Sequence, residues 1–231
     1  MDRSVVLSKA RDFVQQELAG ESSGHDWWHI YRVTNLAKRI AVQEGGDEFL
    51  CELTALLHDL ADEKLYGDEQ QGLARIRSWL TAQGVSGEDI DHILAIITAM
   101  SFKGGQNKQQ LETIEGKVVQ DADRLDAIGA IGIARTFAYG GAKGQLIYDP
   151  DLKSRSEMTY DQYREGKSTS VNHFYEKLFK LKDLMNTSYA KKLAEERHQV
   201  MEQFLAEFYR EWDGDAEPLK TESTLIRKEN R

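Results

Sequence analysis

The sequence predicts an all-α protein. Apolar residues recur at spacings of three and four along most of the chain, only two prolines interrupt its 231 residues, and no stretch sustains the apolar–polar alternation of a strand. The first helix is SVVLSKARDFVQQEL, residues 4–18, ended by Gly20. A second, DWWHIYRVTNLAKRIAVQE, takes Asp26 as its N-cap and stops at Gly45-Gly46. Its Ile30, Val33, Leu36, Ala37 and Ile40 form one apolar stripe. DEFLCELTALLHDLA, residues 47–61, opens on the cap Asp47 and is apolar around most of its circumference after Leu53, which predicts a central position.

Two further helices are expected over DEQQGLARIRSWLTAQG and SGEDIDHILAIITAM. After a polar loop, IEGKVVQDADRLDAIGAIGIARTFAYGG reads as one helical stretch whose Gly129 and Gly132 imply close packing on a neighbour. Residues 140–170 lack periodicity and are rich in Gly, Ser and Asp, as a long loop or lid would be. A helical pair, SVNHFYEKLFKLKDLM and SYAKKLAEERHQVMEQFLAEFYREW, closes the fold. The organisation expected is one domain over residues 1–231. Its metal-binding core covers about 20–139, the lid 140–170, the C-terminal helices 171–212 and a frayed tail 213–231.

Composition narrows the function classes. Apolar residues at 40% and charged residues at 30% are a globular balance, and the formal net charge of −9 argues against a nucleic-acid backbone or an anionic membrane as partner. No segment approaches the roughly 20 apolar residues of a membrane span. The single cysteine, Cys51, excludes an intrachain disulfide, and a reducing cytoplasm is the expected compartment.

When His, Asp and Glu are marked on these helices, His29, the pair His58-Asp59 and the run QDADRLDA with Asp121, Asp123 and Asp126 stand out on three different elements. Helical bundles build metal sites from inward-pointing side chains on facing helices. Two imidazoles and two carboxylates suit a divalent ion such as Mn²⁺, Fe²⁺, Ni²⁺, Zn²⁺ or Mg²⁺ and leave coordination positions open for substrate. Each residue also has a plainer explanation. His29 alone would be a satisfied core histidine, and the aspartates a solvated helix start. The pair His58-Asp59 in so apolar a helix needs partners, and that requirement favours ligation.

The ordered set His29, His58-Asp59, Asp123 resembles the H…HD…D signature of the HD-domain metal-dependent phosphohydrolases. The segments DWWHIYRV, ALLHDLADEK and DADRLDAIGAIGI are similar to the stand-alone bacterial HD hydrolases, as are VNHFYEKLFKLKDLMNT and AEERHQVMEQFLAEF near the C-terminus. The likeness runs over roughly residues 20–212. It implies an all-helical HD-type bundle, a central divalent metal (Mn²⁺ foremost, with Mg²⁺, Ni²⁺, Fe²⁺, Zn²⁺ and Co²⁺ as others), and hydrolysis of a phosphate ester or anhydride of a nucleotide or related small molecule. It also implies ligand roles for His29, His58, Asp59 and Asp123. Asp123 is preferred to Asp126 because the last aspartate in such proteins follows a small or apolar residue.

His25 then falls at the helix start and at most borders the pocket, and Trp27 and Trp28 are expected to pack that start rather than stack a base. Asp62 and Glu63, one turn past the HD pair, are placed to orient water or protonate a leaving oxygen. Arg32 and Lys64 are candidates to offset phosphoryl charge. Asn172, His173 and Lys177, opening a helix after the lid, are candidate substrate contacts. A homodimer is compatible with the sequence and not required by it. The competing assignment is a non-catalytic ligand-sensing or partner-binding module with a structural metal. Asp62, Glu63 and the open coordination favour the enzyme.

Overall fold

The computed structural model describes residues 2–19, 26–61, 68–100, 111–155, 168–212 and 214. Among them are α1 (Arg3–Glu17), α2 (Trp27–Glu44), α3 (Glu48–Leu57), α4 (Glu69–Ala82), α5 (Gly87–Met100), α6 (Ile114–Asp126), α7 (Gly129–Ala142), α8 (Ser170–Glu176) and α9 (Ser188–Trp212), with 3₁₀ segments at His58–Ala61 and Leu178–Leu184. No strand occurs among the described residues, and no helix there is long and apolar enough to cross a membrane.

The helix starts are set locally. Asp26 accepts from the backbone N–H of His29, and Asp47 from those of Phe49 and Leu50, so both expected caps form. Gly45 ends α2 in the left-handed conformation at φ 76°, which a residue with a Cβ rarely adopts.

α3 is the axle of the fold. Every residue from Phe49 to Leu57 is buried. Cys51 and Ala55 face an apolar cluster that also holds Val33, Ile40, Val118 and Phe174, whereas Leu53, Leu56 and Leu57 face a second with Val14, Ile76, Leu80 and Ile93. α2 and α6 pack on α3 and on each other, α1 covers α3, and α9 lies against α7, α6 and α2. Rings of Phe137, Phe174 and Phe204 join α7, α8 and α9, the last two stacked at 5.9 Å.

Three expected helices are shorter than their apolar patterns suggest. The third stops at Leu57, because His58 Nδ1 reaches the Ala55 carbonyl three residues back at 2.8 Å and the chain tightens into a 3₁₀ turn. Residues 114–141 break into α6 and α7, since Gly129 has φ 75° and a Cβ there would meet the Arg197 side chain at 2.9 Å. The helix expected over 170–185 is α only to Glu176 and 3₁₀ from Leu178.

The first part of the expected lid is held down. Backbone N–H groups of Ser170 and Val171 donate to the carbonyls of Leu146 and Ile147, each at 3.0 Å. Arg155 grips the buried Glu176 through Nε at 2.9 Å and Nη2 at 3.0 Å. Residues 156–167 of that segment lie outside the described residues.

Gly72 lets α4 reach the His58–Ala61 turn. A Cβ at position 72 would lie 2.7 Å from both Ala61 Cα and the Leu60 carbonyl oxygen, and backbone cannot swing aside as a side chain can. Gly72→Ala is expected to cost about 2 kcal/mol by overpacking, read as a lower urea midpoint at unchanged slope. A midpoint equal to wild type would show that the turn yields freely.

Candidate metal centre

Three elements aim four side chains at one point. His29 leaves the first turn of α2, His58 and Asp59 sit on the 3₁₀ turn, and Asp123 lies on α6. His29 Nε2 is 3.4 Å from Asp59 Oδ2 and 3.4 Å from Asp123 Oδ1, while His58 Nε2 is 3.2 Å from Asp59 Oδ1 and 3.9 Å from Asp123 Oδ1. One ligand atom each from His29, His58 and Asp59 falls within 4.8 Å of the others. Donors about 2.1 Å from one ion, at right to tetrahedral angles, lie roughly 3.0–3.4 Å apart. The 3.2–3.4 Å spacings of His29, His58 and Asp59 match a single coordination sphere, and Asp123, 3.9 Å from His58, stands at its edge.

The protonation pattern fits an ion as well. The Ala55 carbonyl can only accept, so His58 Nδ1 carries the proton and Nε2 presents its lone pair to the cluster. That nitrogen is buried without a hydrogen-bond partner among the described residues, which costs about 1–3 kcal/mol unless something fills the position. At His29 burial pushes the imidazole pKa down, but Asp123, Asp126 and Asp59 outweigh it and raise it to about 10. A field that holds positive charge this firmly also favours a divalent cation. The pocket opens on one side. The side chains of His29, His58 and Asp59 are 2, 4 and 11% exposed, whereas that of Asp123 is 38% exposed.

Behind the cluster stands Asp126, 2% exposed in its side chain. Its Oδ2 accepts from His29 Nδ1 at 2.8 Å, from Arg32 Nη2 at 2.9 Å and from Arg135 Nη1, and its Oδ1 from Arg32 Nε at 2.6 Å. Burial would raise the pKa of this carboxyl, but His29 and Arg32 hold it well below the usual carboxylate range. Asp123 is likewise lowered: burial opposes the charge, and hydrogen bonding to His29 and the field of His58 overcome it. Asp126 follows Asp123 by three residues as Arg32 follows His29, so the ion pair repeats the ligand pair one turn further along two packed helices. That matched offset is a signal the sequence carries. Asp121, the third acidic residue of the run, turns away to accept from Asn186 and Thr187 at the start of α9.

The other candidates scatter. Arg32 is engaged with Asp126. Asn172 is buried and its amide donates to the Leu152 carbonyl at 2.8 Å. Burial, aided by Lys177, pushes the His173 imidazole down to about 4, so the ring is neutral at neutral pH. Lys177 is the C-cap of α8. Trp27 packs into the core as expected, but Trp28 is 61% exposed, because it points opposite to the buried stripe of α2. His25, Asp62, Glu63 and Lys64 lie outside the described residues.

An all-helical bundle with a His–His–Asp cluster on facing elements and a second carboxylate at its mouth agrees with the comparisons. The HD domain family model matches residues 27–128, which contain all four side chains. Bacillus subtilis YpgQ is 44% identical over 209 residues, covering 90% of this chain and 94% of YpgQ. The chain belongs to the HD-domain superfamily of hydrolases. A crystal structure of an HD-superfamily hydrolase from Bacillus thuringiensis is 49% identical, covers 91% of this chain and 98% of its own, and superposes with a TM-score of 0.75. YpgQ has been crystallised in complex with ADP, and that structure is 42% identical over 91% of this chain and 97% of its own, with a TM-score of 0.70.

Proposed function

We propose that the chain is a metal-dependent phosphohydrolase acting on a nucleotide or a related phosphorylated small molecule. The observation that carries this is the convergence of His29, His58, Asp59 and Asp123 on one position that stays open beside Asp123. A divalent cation held there, Mn²⁺ foremost, would supply charge that lowers the pKa of water and neutralises phosphoryl oxygens.

The side chains divide the remaining work. Asp59 and Asp123 supply the negative charge that retains the cation, and the two histidines add neutral donors with fixed tautomers. Asp62 and Glu63 follow the 3₁₀ turn directly and are the groups assigned to orient water or protonate the leaving oxygen. Arg32 and Lys64 are assigned to the phosphates. Among Asn172, His173 and Lys177, the last keeps the charge an anion needs, since His173 is neutral and the Asn172 amide holds Leu152. The ADP complex of YpgQ supports a nucleotide as the substrate class.

The test is a panel of nucleoside mono-, di- and triphosphates with each divalent ion, scored for released phosphate and pyrophosphate. Hydrolysis that needs the ion and stops with EDTA is expected. A panel without turnover, together with tight nucleotide binding, would favour the ligand-sensing module.

A further inference from the structure

A cavity of about 470 Å³ opens between α8, the 3₁₀ segment that follows it and α9, and none of the proposed metal or phosphate residues lines it. That volume is within the roughly 300–1,000 Å³ of small-molecule sites. Local structure builds its walls. The chain passes from α to 3₁₀ after Glu176, which brings Phe179 beside Tyr175 with ring centroids 5.4 Å apart. On α9, His198, Glu202, Leu205 and Tyr209 recur every three or four residues and so share one face.

Tyr175, Phe179, His198 and Tyr209 give the wall its rings, over the buried Leu205. Phe179 meets Tyr175 at 65° and His198 at 60°, the latter with centroids 4.8 Å apart. Edge-to-face contact covers one π face where a stack would cover two, so the rings converge and keep more π surface free. The hydroxyls of Tyr175 and Tyr209 are 3.3 Å apart, and burial together with that hydrogen bond pushes the Tyr209 phenol up, so it stays neutral. Glu202, its side chain 60% exposed, is the one carboxylate in the wall, and no lysine or arginine lines the cavity. Its contact among the described residues is with His198 Nε2 at 3.3 Å, so no permanent cation neutralises it.

We propose that this cavity binds a small N-methylated alkylammonium ion, its cationic head against the rings and Glu202 as the countercharge. A ring face attracts a cation through its quadrupole, and N-methyl groups add apolar surface to bury. A phosphate or nucleotide is disfavoured here, because the wall carries an anion and no lysine or arginine. The site stands apart from the hydrolase assignment and does not depend on it.

Choline chloride titrated calorimetrically into the full-length chain, with ionic strength held by NaCl, tests the site. Saturable binding with a Kd on the order of 1 mM is expected. The neutral isostere 3,3-dimethylbutan-1-ol keeps the shape without the charge and is expected to bind about tenfold more weakly. Glu202→Gln should weaken choline about two- to fivefold, as loss of an exposed charge pair does. Tyr175→Leu should weaken it by about as much through the lost ring. Both side chains are exposed, so both variants should melt near wild type; should Tyr175→Leu not fold, Glu202→Gln and the isostere decide. No saturation by roughly 50 mM choline overturns the proposal. Equal affinity for the neutral isostere overturns cation recognition, and unchanged choline affinity in the folded variants overturns this cavity as the site.

Discussion

A His58→Ala chain is expected to fold and to emerge from gel filtration without metal, with hydrolysis lost alongside. The imidazole is 4% exposed in its side chain and is one of the two nitrogens proposed as donors, and its departure leaves Asp59 and Asp123 facing a single histidine. Losing a group that merely orients a ligand costs about 10–100-fold in affinity, so losing the ligand itself is expected to cost roughly a thousandfold or more. The fold should survive, because His58 is not part of the apolar cluster in which Leu53, Leu56, Leu57 and Leu60 are buried. Elemental analysis of the purified variant is the check, with melting curves in EDTA compared against wild type. A stoichiometric ion in His58→Ala would remove this histidine from the site.

Asp121→Ala should give a large loss of stability from a polar side chain outside the metal cluster. The carboxylate is fully buried and accepts from the backbone N–H and amide of Asn186 and from the backbone N–H and hydroxyl of Thr187, each at 2.8 Å. These donors stand at the start of α9, where helix N–H groups lack partners of their own and the helix dipole favours negative charge. Alanine would leave several of them buried and unpaired, an expected cost of about 3 kcal/mol. Urea unfolding measures it directly, and a change below about 1 kcal/mol would mean that water replaces the carboxylate at no penalty.

How far the sequence foretells this architecture depends on the range over which each feature is decided. Asp26 and Asp47 are recognisable as caps because a cap is settled within four residues, and apolarity around most of the helix after Leu53 correctly puts that segment at the centre. The helix breaks were harder. Apolar periodicity runs through Gly129 unchanged, although the backbone there turns left-handed. The 3₁₀ turn at His58 depends on a side-chain bond to Ala55 that no periodicity reports. Asp59 and Asp123 lie in the neighbourhood that the HD resemblance implies, yet the contacts of Asp126 are not legible in the sequence. Its partners Arg32 and His29 are 94 and 97 residues away, and only the register of α2 on α6 brings them together. Trp28 departs from the expected packing for a simpler reason, since an aromatic beside a buried neighbour need not share its face of the helix.

The three aspartates of α6 leave that helix in different directions. At 3.6 residues per turn, Asp123 and Asp126 point about 200° and 140° around the axis from Asp121. One faces the ion position, one backs His29, and one is tied to α9. The stretch matched by the HD family ends at residue 128, well short of Asn186 and Thr187. Any truncation near that boundary would strip Asp121 of its hydrogen bonds to Asn186 and Thr187 while sparing all four proposed ligands. The smallest autonomous version of this protein is therefore longer than its chemistry, and the C-terminal third belongs in any fragment, fusion or transplanted site built from it.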